Sequence, residues 1–297
     1  MSFVNVQNIT DKVQAVMVQV PDARLREVST SWVKHLHAFI REVQPTQAEF
    51  ETACDFLVAL GQSTGPAKNE IILLSDILGA SSLINLQNDA NPHAAQHSHH
   101  TDAALLGPFW RDNAPALPLG AKIARGPEAQ SSGQALQVRG TVRDALGQPL
   151  ADATVDVWQA SPVGLYENQD PAQPDMNLRG CFVTDASGGF RFQSVRPAGY
   201  PVPVDGPCGV LLAAQGRDPY RPAHLHFMVS KPGYKVLVTQ VFADDDARLQ
   251  TDVTFSVTPG LIGTFVQHGQ GPDAHFTLDY DLVLQEGEMA FPSPPIP

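Results

Sequence analysis

The apolar positions of the chain change period between about residues 90 and 135. Over segment 10–44, Val13, Val16, Met17 and Val20, then Val33, Leu36 and Phe39 after Pro21, recur every three or four residues. That spacing predicts amphipathic helices, and Thr10 with Asp11 offers an N-cap. Pro45, Thr46 and Gln47 open a further helix carrying Phe50, Cys54, Phe56, Leu57 and Leu60 on one side, with Gly61 as its stop. EIILLSDILGASSLINL, 70–86, predicts a third apolar helical stretch, interrupted at Gly79. Residues 91–133 carry too many Pro and Gly for long helices.

From about residue 135 the period becomes two. ALQVRGTVRD, the turn ALGQPL and then ATVDVWQA give a hairpin or Greek-key signal. GFRFQSV, AHLHFMVS, KVLVTQVF and FTLDYDLVL alternate in the same way. The expected fold is α+β: a helical N-terminal arm, 1–104, followed by an antiparallel β-sandwich, 105–297. The arm is rich in apolar residues for its size. If the sandwich leaves them uncovered, a twofold partner should bury them.

Composition narrows the function classes. Gly and Pro number 23 and 25, and charged residues are 17%, which argues against a coiled coil. The net charge of −12 argues against nucleic acid and against anionic membrane surfaces as partners. Cys54, Cys181 and Cys208 form no CxxC pair and read as free thiols. With no signal-like start and no apolar run of 18 residues, a cytoplasmic location is expected.

The segment RPAHLHFMV, 221–229, carries the candidate chemistry. Alternation along a strand puts Ala223, Leu225, Phe227 and Val229 on one face and His224, His226 and Met228 on the other. Two imidazoles about 7 Å apart at Cα can converge on one metal ion. They can equally be hydrogen-bonded on a polar sheet face. Two of only five tyrosines follow glycine-bearing turns, Tyr166 in SPVGLYENQ and Tyr200 in RPAGYPVPVDGP. Each alone could be a lid on the core.

Taken together, GLYENQ…MNLRGCFVTD…PAGYPVPVDGP…RPAHLHFMVSKPGY…VTQVF resembles the intradiol ring-cleavage dioxygenases that act on catechols. The match runs from LLGPFWR at 105–111 to Phe255, and the catechol and hydroxyquinol branches also carry a helical segment ahead of the sandwich. The resemblance implies one Fe(III) per chain held by Tyr166, Tyr200, His224 and His226. Phenolate is a hard anionic donor suited to Fe(III), whereas zinc sites prefer Cys and His. A trivalent ion, two phenolates and one hydroxide sum to zero, which limits the cost of burial.

The resemblance also implies roles. Tyr200 leaves the metal and accepts a substrate proton, while Tyr166 stays bound. Arg221 stabilises developing negative charge, provided Pro222 bends the strand to bring it round, and Gln240 lies beside the substrate. Leu73, Asp76, Ile77, Leu105, Gly107, Pro108, Phe109 and Thr254 are expected around the ring. Asp76 in an apolar pocket would suit a third hydroxyl, so 1,2,4-trihydroxybenzene (hydroxyquinol) is the first substrate, opened to maleylacetate or its 3-hydroxymuconate tautomer. Catechol and alkyl- or chlorocatechols are the alternatives, with O₂ as co-substrate. A homodimer through the helices is implied, with a phospholipid at its interface.

TFSVTPGLIG, 254–263, and HSHHTDAALLGPFW depart from the family pattern and bear on the preferred ring substituent. The cluster His93, His97, His99 and His100 reads as a solvated linker rather than a metal site. Two other classes compete: a zinc hydrolase built on the His-x-His pair, and a non-enzymatic binding sandwich. No phosphate-binding loop, GxSxG or HExxH occurs.

Overall fold

The computed structural model describes residues 3–65, 68–89, 100–126, 134–271 and 274–295. His93, His97 and His99 fall outside them; His100 lies 3.5 Å from the Asp89 carboxylate. By compactness the chain divides into Met1–Val58 and Ala59–Pro297. That boundary comes earlier than the expected 104, because helices α4 (Glu70–Ile77) and α5 (Ala80–Asp89) are bonded to loops of the sandwich. Ser82 Oγ donates to Thr254 O, and the Glu70 carboxylate accepts the Cys208 N–H at the start of α6 (Pro207–Ala214).

The first unit holds α1 (Ile9–Met17), α2 (Ala23–Val43) and the first turns of α3 (Gln47–Ser63). Thr10 is not the cap of α1; that position is Asn8, with no side-chain cap bond. Thr10 lies inside the helix, where its hydroxyl meets His37 Nδ1 and Arg41. Asp22 caps α2 by accepting the Leu25 N–H. α3 runs two residues past Gly61. The apolar stripe of α2 is largely exposed, Trp32 at 71% and Phe39 at 58%.

In the second unit, α4 and α5 are bent by 67° at Gly79, whose φ of +71° a side chain would resist. Among the described residues no single helix is long and apolar enough to cross a membrane.

Two five-stranded sheets form the sandwich. One joins β1 (Ala135–Asp144), β4 (Gly189–Val195), β10 (Phe265–His268), β11 (His275–Asp279) and β12 (Leu282–Leu284); β1 is the strand that bonds β4, β11 and β12. The other runs in the order β3 (Arg179–Val183), β2 (Thr154–Trp158), β7 (His224–Ser230), β8 (Leu237–Ala243), β9 (Ile262–Gly263). β5 (Tyr200–Pro201) and β6 (Tyr220–Arg221) pair separately.

The sheets are mixed rather than wholly antiparallel. β11 and β12 run parallel to β1, and β9 runs parallel to β8. β1 and β2 do not pair with each other; the chain crosses from one sheet to the other between them, the Greek-key outcome.

FTLDYDLVL is broken into two strands because Tyr280 crosses over Gly140. A Cβ on Gly140 would stand 1.9 Å from Tyr280 O. Backbone cannot yield as a side-chain tip can, so Gly140→Ala is expected to destabilise the fold by about 3 kcal/mol. The measurement is the unfolding midpoint; an unchanged midpoint would show that this crossing gives way easily.

The core lies between the sheets. Leu225, Phe227 and Val229 of β7 pack there with Phe190, Phe192, Val155 and Val241. Their burial is worth roughly 1.5–3 kcal/mol per side chain. The opposite face of β7, with His224, His226 and Met228, is buried as well, so the whole strand is enclosed.

Candidate metal centre

Four side chains meet on the outer face of β7. His224 and His226 come from the strand itself. Tyr166 caps a short 3-10 turn, Glu167–Gln169, and its N–H donates to Gln169 Oε1 at 3.0 Å. Tyr200 comes from β5, opposite Arg221 of β6. Gly164, at φ +84°, lets the Tyr166 loop close on Tyr200, since a Cβ there would stand 3.0 Å from Tyr200 Cβ.

The donor atoms form a closed ring. Tyr166 Oη lies 3.1 Å from Tyr200 Oη and 3.1 Å from His226 Nε2. His224 Nε2 lies 3.4 Å from Tyr200 Oη and 3.1 Å from His226 Nε2. Ligands bound at about 2.0–2.2 Å to one ion stand roughly 2.8–3.6 Å apart, from right-angled to tetrahedral arrangements. His224 Nδ1 donates to Pro222 O at 2.7 Å, which fixes the tautomer and turns the Nε2 lone pair toward the ring centre.

The protonation energetics fit a cation. Burial pushes both phenols above their usual range, and Arg221 opposes it in each case. Burial, with Arg221 nearby, holds both imidazoles well below theirs, so they stay in the neutral, ligating form. Buried phenols ionise only where positive charge compensates. The set of two hard oxygens and two imidazoles therefore suits a highly charged ion such as Fe(III). Among the described residues no group of three or more His, Cys, Asp and Glu side chains could hold a metal. The third ligand that a zinc hydrolase needs is thus not supplied there by a carboxylate, a thiol or another imidazole.

Rings and a guanidinium hold the four in place. Phe109 stacks on Tyr166 at 4.5 Å, and Trp158 stacks on His226 at 4.7 Å. Arg179, 1% exposed, donates to Glu167 Oε1 at 2.8 Å and lies 6.0 Å from the Tyr166 ring centroid.

Arg221 reaches the ring because the strand is broken at Pro222 and Ala223, between β6 and β7. Its Nη1 lies 3.3 Å from His224 Nε2, and its Nη2 donates to Gln240 Oε1 at 2.7 Å. Gln240 in turn donates to Leu105 O at 2.6 Å, which ties loop 104–107 to the site.

A cavity of about 350 Å³ opens beside the ring, lined by Ile72, Asp76, Ser81, Ile84, Asn85, Ala104, Leu105, Leu106, Gly107 and Val238. A Cβ on Gly107 would stand 3.4 Å from His226 Cε1, so this wall adjoins the donors. Asp76 is 4% exposed, and burial pushes its carboxyl up to about 6.

Of the residues expected around a ring, Asp76, Leu105 and Gly107 line this cavity. Leu73, Ile77, Phe109 and Thr254 are buried outside its lining, and Pro108 is half-buried. The Thr254 hydroxyl is bonded to Asp252 and Ser256. Sequence reasoning missed Trp158, Arg179 and Asp252. Trp158 faces His226 only through the register of β2 against β7, and Arg179 stands opposite Trp158 only through that of β2 against β3, which no motif encodes.

Comparison with known proteins adds a second line. Residues 106–286 match the family model described as Dioxygenase, and residues 22–96 match Catechol dioxygenase N terminus. The two matches part near residue 100, within the Pro- and Gly-rich segment that follows the helical stretch. The chain is 40% identical over 277 residues to 6-chlorohydroxyquinol 1,2-dioxygenase of Cupriavidus pinatubonensis, covering 93% of this chain and 96% of that one. It is 41% identical over 284 residues to hydroxyquinol 1,2-dioxygenase of a Rhizobium species, covering 92% and 93%. The solved structure of hydroxyquinol 1,2-dioxygenase from Pseudomonas putida DLL-E4 superposes with a TM-score of 0.85 at 34% identity, covering 95% of this chain and 99% of that one.

Proposed function

Because the chain belongs to the intradiol ring-cleavage dioxygenase family, we propose that Tyr166, Tyr200, His224 and His226 hold one Fe(III). We further propose that the cavity beside them takes 1,2,4-trihydroxybenzene, opened to maleylacetate or its 3-hydroxymuconate tautomer. The reaction class follows from membership: the enzyme cleaves an aromatic ring between two hydroxyl-bearing carbons with O₂. The observation that carries the metal assignment is the closed ring of four donors 3.1–3.4 Å apart.

Bound Fe(III) would draw electron density from a chelated diol and make a ring carbon reactive toward O₂. The chain supplies the rest. Tyr200 accepts a substrate hydroxyl proton at its Oη as the base. Tyr166, stacked under Phe109 and tied by its N–H to Gln169, keeps its position. Arg221 offers Nη1 to negative charge developing on the ring, and Gln240 holds that guanidinium against loop 104–107.

Asp76 supports the triol. Most of the cavity lining is aliphatic, and a buried carboxylate facing a plain catechol would be left without a partner from the substrate. A third hydroxyl would donate to it. Asp76→Asn is expected to lower the ratio of kcat/KM for 1,2,4-trihydroxybenzene over catechol about 10- to 100-fold. The same ratio should rise in the wild type as pH rises through about 6, because only the ionised carboxylate accepts with both oxygens. O₂ uptake across a panel of hydroxyquinol, catechol, methylcatechol and chlorocatechol measures both. A flat ratio with pH and an unaltered ratio in the variant would remove Asp76 from recognition and return catechols as the alternative.

The exposed stripe of α2, including Trp32 and Phe39, supports a homodimer through the helical arm, with a phospholipid at the interface. The unpaired cysteines Cys54, Cys181 and Cys208 support a cytoplasmic location.

A further inference from the structure

We propose that Asp252 is a positioning residue for the reaction: it holds the Arg221 guanidinium so that Nη1 alone is directed at the metal centre. The inference rests on the reading of that centre given above.

Arg221 and Asp252 are both nearly closed to solvent, 3% and 4% exposed. They meet as a fork. Arg221 Nε donates to Oδ1 at 3.1 Å and Nη2 approaches Oδ2 at 3.3 Å. Nη2 also donates to Ser256 Oγ at 2.6 Å and to Gln240 Oε1 at 2.7 Å. Three acceptors therefore compete for the two hydrogens of Nη2, and the single hydrogen of Nε is taken. Nη1 is the arm that points to His224 Nε2, 3.3 Å away. A metal bound at Nε2 would take that lone pair, leaving the Nη1 hydrogens for a substrate oxygen or ring carbon.

The loop around Asp252 is shaped for this carboxylate. The Thr254 N–H and the Ser256 N–H donate to it at 3.3 and 3.1 Å, and both hydroxyls donate to Oδ2 at 2.9 and 2.7 Å. That wrapping turns Phe255 into the left-handed region, φ +55°, which a bulky residue ordinarily avoids. The strained turn is pinned from outside. Ser82 donates to Thr254 O at 2.8 Å, and Arg217 donates to Val253 O at 2.9 Å while lying 5.2 Å from the Phe255 ring centroid. A fold that holds such a turn is spending backbone strain on the geometry of one ion pair. This segment, TFSV, is also where the sequence departs from the family pattern.

A bidentate carboxylate fixes the plane of a guanidinium as well as its place. Without it Arg221 remains buried and charged, and, held only through Nη2 by Ser256 and Gln240, it can pivot toward either phenolate. Substrate would still bind, but the charge that develops during ring attack would meet a misdirected donor.

The test is a double-mutant cycle on the iron-loaded enzyme with Asp252→Asn, Arg221→Gln and the pair. Asp252→Asn is expected to keep its iron and its visible absorption band, hold KM within about threefold, and lose kcat about 10- to 100-fold. In the Arg221→Gln background the same substitution should cost no more than about twofold further. Ser256→Ala should show the same non-additivity with a smaller loss, and it decides the matter if Asp252→Asn does not fold. Unimpaired kcat in the single variants, or losses that multiply in the cycle, overturn the inference while the reading of the centre stands. A wild type that consumes no O₂ with any diol of the panel overturns both.

Discussion

Replacing His226 with alanine, or Tyr166 with phenylalanine, is expected to strip the enzyme of its iron, its red-brown colour and its turnover together. Each substitution removes one donor from a ring in which every member stands 3.1–3.4 Å from its neighbours. Partners one shell further out are worth about 10- to 100-fold in metal affinity, so a direct ligand should cost more than about 100-fold. Burial compounds the loss. The phenols that remain, two after the histidine change and one after the tyrosine change, already sit above their usual range, and as the cation is lost they return to the protonated form. Tyr166→Phe is the stricter test, because the ring stacked under Phe109 is retained and only the oxygen is lost. Metal analysis alongside the visible spectrum is the measurement. If both variants keep stoichiometric iron and full colour, the donor assignment is wrong.

Tyr200→Phe should separate binding from turnover. Tyr200 is proposed as the donor that gives way to a substrate, so the other three would hold part of the metal without it, and some of the iron with a shifted absorption band should persist. The base, however, is gone. General base catalysis contributes about 10²–10⁴-fold, and kcat should fall within that range. The expectation depends on where Tyr200 sits. It lies on a two-residue strand opposite Arg221, whereas Tyr166 is stacked under Phe109 and bonded to its own turn. The less constrained of the two phenols is the one able to move aside for a substrate. Turnover within a few-fold of wild type would remove the base role from Tyr200.

The sequence showed different parts of this molecule to different degrees. The alternation in RPAHLHFMV was enough to separate Leu225, Phe227 and Val229 from His224 and His226, since one strand has two faces whatever it pairs with. The break at Gly79 was legible for a similarly local reason. The register that sets Trp158 against His226 was not, because it depends on β2 lying between β3 and β7. Arg221 shows the boundary between the two cases. An ideal strand puts it on the wrong face, and only the interruption at Pro222 returns it to the site. Asp252 had no legible signal at all. It is a carboxylate 31 residues from Arg221, paired with it directly and wrapped by the turn through Phe255. The mixed sheets were missed for want of a local sign too, since alternation does not record strand direction.

One strand is packed on both sides. The inner face of β7 is part of the sandwich core, and its outer face presents two of the four donors. Thermal motion of the imidazoles is therefore damped by the same contacts that hold the two sheets together. A small change in core volume, such as trimming Phe227, would tilt His224 and His226 without touching either. For a metal held by these donors, the energy of its charge-transfer transition would in this architecture be partly a property of hydrocarbon packing on the far side of the backbone.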